Sequence, residues 1–255
     1  MKIASWNVNS LNVRLPHVLA WIEFARPDVL ALQETKMTDD RFPVDELMSA
    51  GYHSIFSGQK TYNGVAVLSR EKACDPVTDI PGLEDPQRRI LAVTVGDVRI
   101  VDLYVVNGSE VGSEKFEYKL HWLEQVTAWL ATEAEQHENV IVLGDFNIAP
   151  DDRDVYDPEA WHGKILCSTA ERDALRRILD LGLKDTFRMF EQEERCWSWW
   201  DYRMNMFRRK LGLRIDLVLA SSAMAGRCTA STIDIEPRQQ ERPSDHATAI
   251  AEFNM

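Results

Sequence analysis

The chain has 255 residues, of which 45% are hydrophobic and 27% charged, and its formal net charge is −12. This composition is ordinary for a soluble globular protein. No apolar run approaches the roughly 20 residues that span a bilayer, and the N-terminus turns polar too early for a signal peptide. The acid excess predicts weak non-specific binding to nucleic acid, but it does not exclude such a partner, because local charge determines a binding face.

The four cysteines (Cys74, Cys167, Cys196 and Cys228) are scattered and form no CxxC pair. This spacing indicates neither a zinc site nor a disulfide framework. Free thiols fit a reducing compartment, so we expect a cytoplasmic protein.

Apolar runs and helical periodicity predict strands that alternate with helices but that also pair as hairpins. Gly96-Asp97 is such a hairpin signal. The sheets are therefore expected to be mixed. Since the sequence contains no linker, low-complexity tract or fixed-period repeat, a single domain of residues 1–255 is the simplest interpretation. In chain order, the predicted elements are strand 2–6, helix 15–24, strand 29–32, helix 43–50, strands 64–69, 90–95 and 98–104, a long helix from about 116 to 137, strand 140–143, helix 169–181, and strands 213–220 and 247–253.

The stretch Gly144-Asp145-Phe146-Asn147-Ile148-Ala149-Pro150 follows the apolar run 140–143. In an α/β protein, such a change from apolar to polar residues marks the end of a buried strand beside a crevice. If strand geometry persists, Asp145 and Asn147 point to the same side. The alternative is a strand-terminating turn, since Gly, Asp and Asn are the usual turn residues.

The same kind of polar side chain recurs at other predicted strand ends. If these positions meet, the site contains four carboxylates, two carboxamides, an imidazole and a phenol. Like charges packed so closely require a cation, and oxygen ligands without cysteine select Mg²⁺ or Mn²⁺. Such a set suits attack of water on a phosphodiester. Taken singly, the tyrosine and the histidine could equally be packed core residues. The recurring residues are Asn7, Glu34, Tyr104, Asp145, Asn147, Asp216, Asp245 and His246.

Eight segments, in order and covering nearly the whole chain, resemble the exonuclease III group of the endonuclease/exonuclease/phosphatase superfamily, the Mg²⁺-dependent DNA-repair nucleases. No single segment is decisive, but together they are specific. They are Trp6-Asn7-Val8-Asn9-Ser10, Leu32-Gln33-Glu34-Thr35-Lys36, Tyr62-Asn63-Gly64-Val65-Ala66, Gln87-Arg88-Arg89-Ile90, Gly144 to Pro150, Trp199-Trp200-Asp201-Tyr202-Arg203, Gly212-Leu213-Arg214-Ile215-Asp216 and Arg242-Pro243-Ser244-Asp245-His246-Ala247.

The resemblance implies a fold class and roles for the polar residues. The fold would be a four-layered α/β sandwich of the DNase I-like kind, with two mixed β-sheets face to face and helices outside. The metal, Mg²⁺ with Mn²⁺ as a substitute, would bind Glu34 with help from Asn7 and Asp245, and Asp145 and Asn147 would lie in the same metal set. Among the catalytic residues, Asp216 would orient His246 against the phosphate, Asp145 would activate water, and Asn147 and Tyr104 would stabilise the transition state. The proton transfer could belong to Asp145 or to the Asp216–His246 pair.

The substrate face is expected in the aromatic and basic stretch from Cys196 to Lys210, which suits stacking on sugars and bases beside phosphate contacts. By resemblance, Trp199, Leu213 and Ile215 would form an apolar pocket for a flipped base-less sugar. The alternative is that the tryptophans are core and that 208–210 is a solvated loop, and for Trp197 the core is favoured. The further DNA-contact candidates are Arg203, Arg209, Arg14, Lys36, Tyr62, Arg88 and Arg89.

The expected function is a 3′→5′ exodeoxyribonuclease on double-stranded DNA, with 3′-phosphatase or 3′-phosphodiesterase activity and incision at abasic sites. The protein is expected to act as a monomer on duplex DNA with abasic sites or 3′ ends, away from membranes. Asn12 stands where many relatives have an arginine, which removes one phosphate contact. The alternatives are a phosphatase or lipid phosphodiesterase of the superfamily, and a non-catalytic DNA-binding scaffold.

Overall fold

Within residues 1–83 and 85–255, which the computed structural model describes, two mixed β-sheets of six strands each form the centre of the protein. The strands are β1 (Lys2–Asn7), β2 (Val29–Gln33), β3 (His53–Ser57), β4 (Val65–Ser69), β5 (Cys74–Val77), β6 (Ile90–Val95), β7 (Val98–Tyr104), β8 (Val140–Asp145), β9 (Lys184–Asp185), β10 (Asp216–Ala220), β11 (Cys228–Asp234) and β12 (Thr248–Phe253). The helices are α1 (Leu11–Ala25), α2 (Val44–Ser49), α3 (Glu114–Gln136), α4 (Pro158–Trp161), α5 (Thr169–Leu179) and α6 (Ser222–Ala225).

The two sheets have related orders, β11-β12-β1-β2-β4-β3 in the first and β5-β6-β7-β8-β10-β9 in the second. Each contains one parallel pair, β1 with β2 and β7 with β8, among antiparallel neighbours. The predicted hairpin at Gly96-Asp97 joins β6 and β7 and is confirmed. Both parallel pairs lie at the middle of their sheets, so the carboxyl ends of four central strands can supply one site.

Alternation of side chains along the strands produces the layers. On β1 and β2, Ile3 and Ala31 face the second sheet in the apolar layer between the sheets. Their neighbours Ala4 and Leu32 point outward into a cluster with α1 and α2. The outer face of the second sheet packs against α3 and α5. The predicted four-layered α/β sandwich with helices outside is confirmed.

The boundaries and edge strands depart from the sequence-based expectations. The helix expected at 15–24 begins at Leu11, where Ser10 offers no side-chain cap and the backbone N–H groups of Ser10 and Leu11 donate to Glu34 and Thr35. These long-range bonds leave no local signal. β3, β5, β9 and β11 were not predicted, because edge strands carry mixed polar residues without a clear apolar run. None of the helices in the described part of the chain has the length and hydropathy that a membrane crossing requires.

Candidate active site

The ends of the central strands bring the predicted polar residues to one edge of the two sheets. In the second sheet, Asp145 at the end of β8 is the register partner of both Tyr104, the last residue of β7, and Asp216, the first residue of β10. In the first sheet, Asn7 ends β1 beside Gln33, and Glu34 follows directly. These residues are far apart in the sequence, and the pairing of the strands brings them together.

Asn7 joins the two sheets at the centre of the site. Its amide nitrogen donates to Glu34 Oε1 and to Asp145 Oδ2, both at 2.9 Å. Its amide oxygen accepts the backbone N–H of Asn9 at 3.0 Å. Asn7 therefore presents donor hydrogens to the two carboxylates, and its oxygen could bind a metal only after the carboxamide rotates.

Glu34, Asp145 and His246 offer ligand atoms that all lie within 4.8 Å of one another, and we call them the central cluster. His246 Nε2 lies 3.8 Å from Asp145 Oδ2. On its other side, His246 Nδ1 lies 2.9 Å from Asp216 Oδ2, and Asp216 is almost fully buried. Asp216 and Asp145 therefore lie at opposite ring nitrogens of His246.

Burial and mutual charge perturb the protonation of the central cluster. Burial alone would lower the pKa of His246, but the carboxylates of Asp216 and Asp145 outweigh it and raise that pKa to about 10. Burial raises the pKa of Asp145 to about 7, although His246 acts in the opposite direction. For Glu34, burial is outweighed by Lys36 and Asn7, which hold its pKa below the usual value. Near neutral pH the site therefore contains a carboxylate, an imidazolium and a carboxyl group that can gain or lose a proton.

A turn, rather than a continued strand, brings Asn147 to Asp145. β8 ends at Asp145, and Asn147 has φ of 48°, in the left-handed region. Its backbone N–H donates to Asp145 Oδ1 at 2.9 Å, and its amide nitrogen approaches Asp145 Oδ2 at 3.2 Å. The backbone therefore follows the turn alternative instead of continued strand geometry, and the two side chains still meet. Asn147 Oδ1 accepts from Asn107, so no free oxygen of this carboxamide faces the cluster.

Tyr104 and Asp245 border the central cluster. Burial, followed by the charges of Glu34 and Asp145, raises the pKa of Tyr104 well above its usual value, so its hydroxyl keeps its proton. Asp245 lines the same cleft but lies outside the central cluster. Its two oxygens accept from Asn9 at 2.9 Å and from the indole of Trp199 at 3.1 Å.

A cleft of about 350 Å³ opens over the central cluster. One wall is the apolar group of Trp161, Ile165 and Leu166, which comes from the segment between β8 and α5, and Trp199 also lines the cleft. Arg203 also lines it, with an 85% exposed side chain paired to Asp201. A reactive phosphate in this cleft would have carboxylates below it, aromatic rings beside it and a cation at the rim.

Three of the predicted DNA contacts are buried in this structure. Leu213 and Ile215 are 0% and 1% exposed and pack beneath Trp199, because Trp199 and Leu213 pair through their backbones. They support the cleft from beneath the ring of Trp199. Arg89 is 9% exposed, stacks on the ring of Tyr104 at 4.5 Å and donates to the Tyr104 carbonyl. It therefore positions Tyr104 and is not available to the phosphate backbone.

The other predicted DNA contacts differ in how far they are already engaged. Arg14 donates to the carbonyls of Asn9 and Pro243, and Lys36 pairs with Glu34 at 2.7 Å. Arg88 pairs with Asp79 at 3.0 Å. Tyr62 is 67% exposed, and Arg209 is exposed as well. Only these last two and Arg203 have largely accessible side chains.

Several site residues carry no sequence-based assignment. Asn9 bridges Asp245 and Lys36, and Asn107 orients Asn147. The hydroxyl of Ser198 accepts the backbone N–H groups of Ile215 and Asp216, both at 3.0 Å, and so fixes the start of β10. Asn9 and Asn107 follow predicted strand ends closely, so the same rule that found Asn7 could have found them. Ser198 has no such signal.

The donor set of the central cluster fits a hard divalent cation. Glu34 and Asp145 supply carboxylate oxygens, the ligand type that Mg²⁺ and Mn²⁺ prefer. In the described residues, no thiol belongs to the group. Asn7 holds these two acidic side chains close together, so their carboxylates repel each other. A cation between them would remove that repulsion.

Comparison with known proteins agrees with this geometry. Residues 4–246 match the sequence model of the Endonuclease/Exonuclease/phosphatase family. The chain belongs to this family. Within it, the chain is 35% identical to the exodeoxyribonuclease III of Haemophilus influenzae, over 99% of this chain and 100% of that protein.

Two solved structures resemble the protein along both whole chains. One is the 3′ phosphatase NExo from Neisseria, bound to a product DNA hairpin, with 50% identity and a TM-score of 0.98. The other is an AP endonuclease from Archaeoglobus fulgidus, with 35% identity and a TM-score of 0.96. The family resemblance inferred from the eight sequence segments is confirmed.

Proposed function

We propose that the protein is a Mg²⁺-dependent DNA-repair phosphodiesterase, with Mn²⁺ able to substitute. It degrades double-stranded DNA from 3′ ends in the 3′→5′ direction, removes 3′-phosphates and other 3′ blocking groups, and incises beside abasic sites. The observation that carries the proposal is the central cluster of Glu34, Asp145 and His246, with Asp216 behind the imidazole. Relatives named as exodeoxyribonuclease III, a 3′ phosphatase and an AP endonuclease support the substrate class.

Glu34 and Asp145 would hold the ion, and Asn7, Asn147 and Asp245 would support it. When bound, the ion neutralises charge on the phosphate and on the departing oxygen. Asp245 has a weaker case as a ligand, because it lines the same cleft but lies outside the central cluster.

The protein groups have separate tasks in hydrolysis. Asp145 accepts a proton from water, because burial disfavours the charged form of its carboxyl group and so makes the carboxylate a better base. The imidazole of His246 is already protonated, so it contacts the phosphate as a cation that Asp216 orients. Asn147 and Tyr104 donate hydrogen bonds as negative charge develops. The water oxygen bonds to phosphorus as the bond to O3′ breaks, and the departing O3′ takes a proton from solvent water to become the 3′-hydroxyl.

DNA contact would use the exposed part of the predicted set. Arg203, Arg209 and Tyr62 are accessible, and Trp199 lines the cleft. Lys36 and Arg14 could reach phosphate only by leaving present partners. The same proposal includes a single domain of residues 1–255 that acts as a monomer in the cytoplasm. The match over residues 4–246 supports the first part, and four free cysteines support the compartment.

The test offers three labelled duplexes to the protein, one with an abasic site, one with a 3′-phosphate and one with a recessed 3′ end, each with Mg²⁺ and with a chelator. We expect cleavage of all three with Mg²⁺ and of none with the chelator. Activity that survives chelation would contradict the metal requirement. Failure to cut any duplex would contradict the DNA assignment, and hydrolysis of a phosphoinositide in a parallel reaction would then support the lipid phosphodiesterase.

A further inference from the structure

A lysine lies buried directly behind the site, outside the proposed set of catalytic residues. Lys119 of α3 is 0% exposed, and its ammonium has three hydrogens. They are donated to the backbone carbonyl of Asn147 at 2.7 Å, to that of Asn107 at 3.1 Å and to the carboxylate of Glu171.

The two carbonyls belong to residues that act together. Asn107 donates its amide hydrogen to Asn147 Oδ1 at 3.0 Å, which turns the Asn147 amide nitrogen toward Asp145 and the Val105 carbonyl. Asn147 also has a left-handed backbone, with φ of 48°. A non-glycine residue persists in that region when surrounding bonds over-determine it. Lys119 supplies such a bond from behind.

Glu171 extends the network to the wall of the cleft. It is 0% exposed and forms the capping box at the start of α5 with Ser168. It also accepts the backbone N–H of Leu166 at 3.0 Å, and Leu166 lines the cleft. One buried ion pair therefore joins the turn after β8 to the loop that forms the apolar wall.

Net stabilisation does not explain such a pair, because a buried ion pair is on average no more stabilising than apolar residues of the same volume. We propose that Lys119 is a positioning residue, which holds the backbone of Asn147 so that its N–H and amide groups meet Asp145 in reactive geometry. The inference rests on the proposed function and deepens it. Lys119 itself touches neither the cleft nor a reacting atom.

The test compares Lys119→Met with the double variant Lys119→Met/Glu171→Gln, on the duplex with a 3′-phosphate and Mg²⁺. The double variant has no unpaired buried charge, so its melting temperature should return toward that of the wild type. The bond to Asn147 stays absent in both variants. We expect kcat to fall roughly 10- to 100-fold in both, in line with the loss of geometry or of one preorganised donor, while KM changes less than about twofold.

The matched control is another buried ion pair, which joins Arg99 of β7 to the same helix. Arg99 Nε donates to Glu133 of α3 at 2.6 Å, and both side chains are nearly buried. This pair lies roughly 20 Å farther along α3, at 1.5 Å per residue. Each Arg99 variant (Arg99→Met and Arg99→Met/Glu133→Gln) should change the melting temperature about as much as the corresponding Lys119 variant does. Both Arg99 variants should keep kcat within about twofold of the wild type.

A readout without catalysis separates this inference from the proposed function. Hydrogen exchange of the peptide covering residues 144–150 should accelerate about tenfold in both Lys119 variants and stay unchanged in the Arg99 variants. If kcat recovers along with the melting temperature in the double variant, or if exchange at 144–150 does not change, Lys119 is only structural and the inference is overturned. If the wild type cuts no DNA, the proposed function fails, and the exchange measurement still decides the role of Lys119.

Discussion

Glu34 shows at the level of one residue how the fold prepares a charged group. It follows β2 directly, has φ of 54° in the left-handed region, and is fixed by Asn7 and Lys36. A glutamate rarely adopts this backbone conformation, because it is strained for any residue with a Cβ atom. The surrounding hydrogen bonds therefore hold Glu34 in it. The result is an ionised carboxylate that shares the amide nitrogen of Asn7 with Asp145.

Replacing Glu34 by Gln should abolish turnover and leave the fold intact. The amide keeps the shape but loses the charge that would hold the ion, and metal stabilisation of a phosphate transition state is worth several kcal/mol. We expect kcat to fall by roughly 10³-fold or more, measured on the 3′-phosphate duplex. Glu23→Gln, at an exposed position on α1, is the control and should behave as the wild type. Substantial Mg²⁺-dependent activity in Glu34→Gln would refute the metal assignment.

Replacing Trp199 by Ala should impair cleavage at abasic sites more than removal of a 3′-phosphate. The ring lines the cleft, and stacking on a nucleotide is worth about 1–3 kcal/mol. We expect kcat/KM at abasic sites to fall roughly 10- to 100-fold, against less than about threefold for the 3′-phosphate. Trp199→Phe keeps a ring but loses the N–H to Asp245, so it isolates stacking. Equal losses on both substrates would count against a sugar-binding role.

The identity of the site residues could be predicted, but their partners could not. Asp145 and Glu34 are visible in the sequence because each follows an apolar run. The direction of the Asn7 amide and the burial of Arg89 depend on hydrogen bonds to residues of other strands. No local sequence pattern therefore predicts them. Leu213 and Ile215 are assigned to a pocket by resemblance alone, and their burial beneath Trp199 depends on backbone pairing that no local pattern shows.

At the level of elements, β7 and β8 depend on one glycine. Gly144 has φ of +141°, and a Cβ atom there would lie 1.9 Å from the Leu103 carbonyl oxygen. The clash is with backbone, so it can be relieved only by separating the two strands. Because β7 ends in Tyr104 and β8 in Asp145, the glycine keeps two site residues in register.

Gly144→Ala should therefore destabilise the protein by about 3 kcal/mol or more and reduce activity even in the folded fraction. The free energy of unfolding in urea and kcat measured well below the melting temperature test both parts. Gly226→Ala is the control, because φ there is −63° and an added Cβ makes ordinary contacts of 3.6 Å. Wild-type stability in Gly144→Ala would show that the strands can separate at no cost.

Interior elements were predictable and edges were not, for a physical reason. Strands such as β8 are buried on both faces, so their sequences are continuously apolar. β11 alternates polar and small residues at the edge of its sheet, where water or one neighbour satisfies each residue. The start of α1 depends on backbone bonds to the loop after β2, which becomes visible only when the first sheet is assembled.

At the level of the whole molecule, a buried polar contact joins the two sheets within the apolar layer between them. Gln33 of β2 donates to Asp102 Oδ1 of β7 at 2.7 Å, and both side chains are 0% exposed. Asp102 Oδ2 has no hydrogen-bond partner among the described residues. Each of these two residues lies within two positions of a site residue, so the contact helps to set how the halves of the site face each other.

Burial, opposed only by the bond from Gln33, raises the pKa of Asp102 well above its usual value. The folded protein therefore binds this proton more tightly than the unfolded chain does. The associated stability is fully present below the unfolded pKa, near 3.8, and is lost as pH rises through the folded pKa.

Asp102→Asn mimics the protonated acid at every pH, so it should stabilise the protein at pH 8 and have little effect near pH 3.5. Urea unfolding across this range measures the difference, and Asp40→Asn at an exposed position should show no such trend. A variant that is less stable than the wild type at pH 8 would mean that Asp102 is ionised in the folded protein and that the two sheets are held together by its charge.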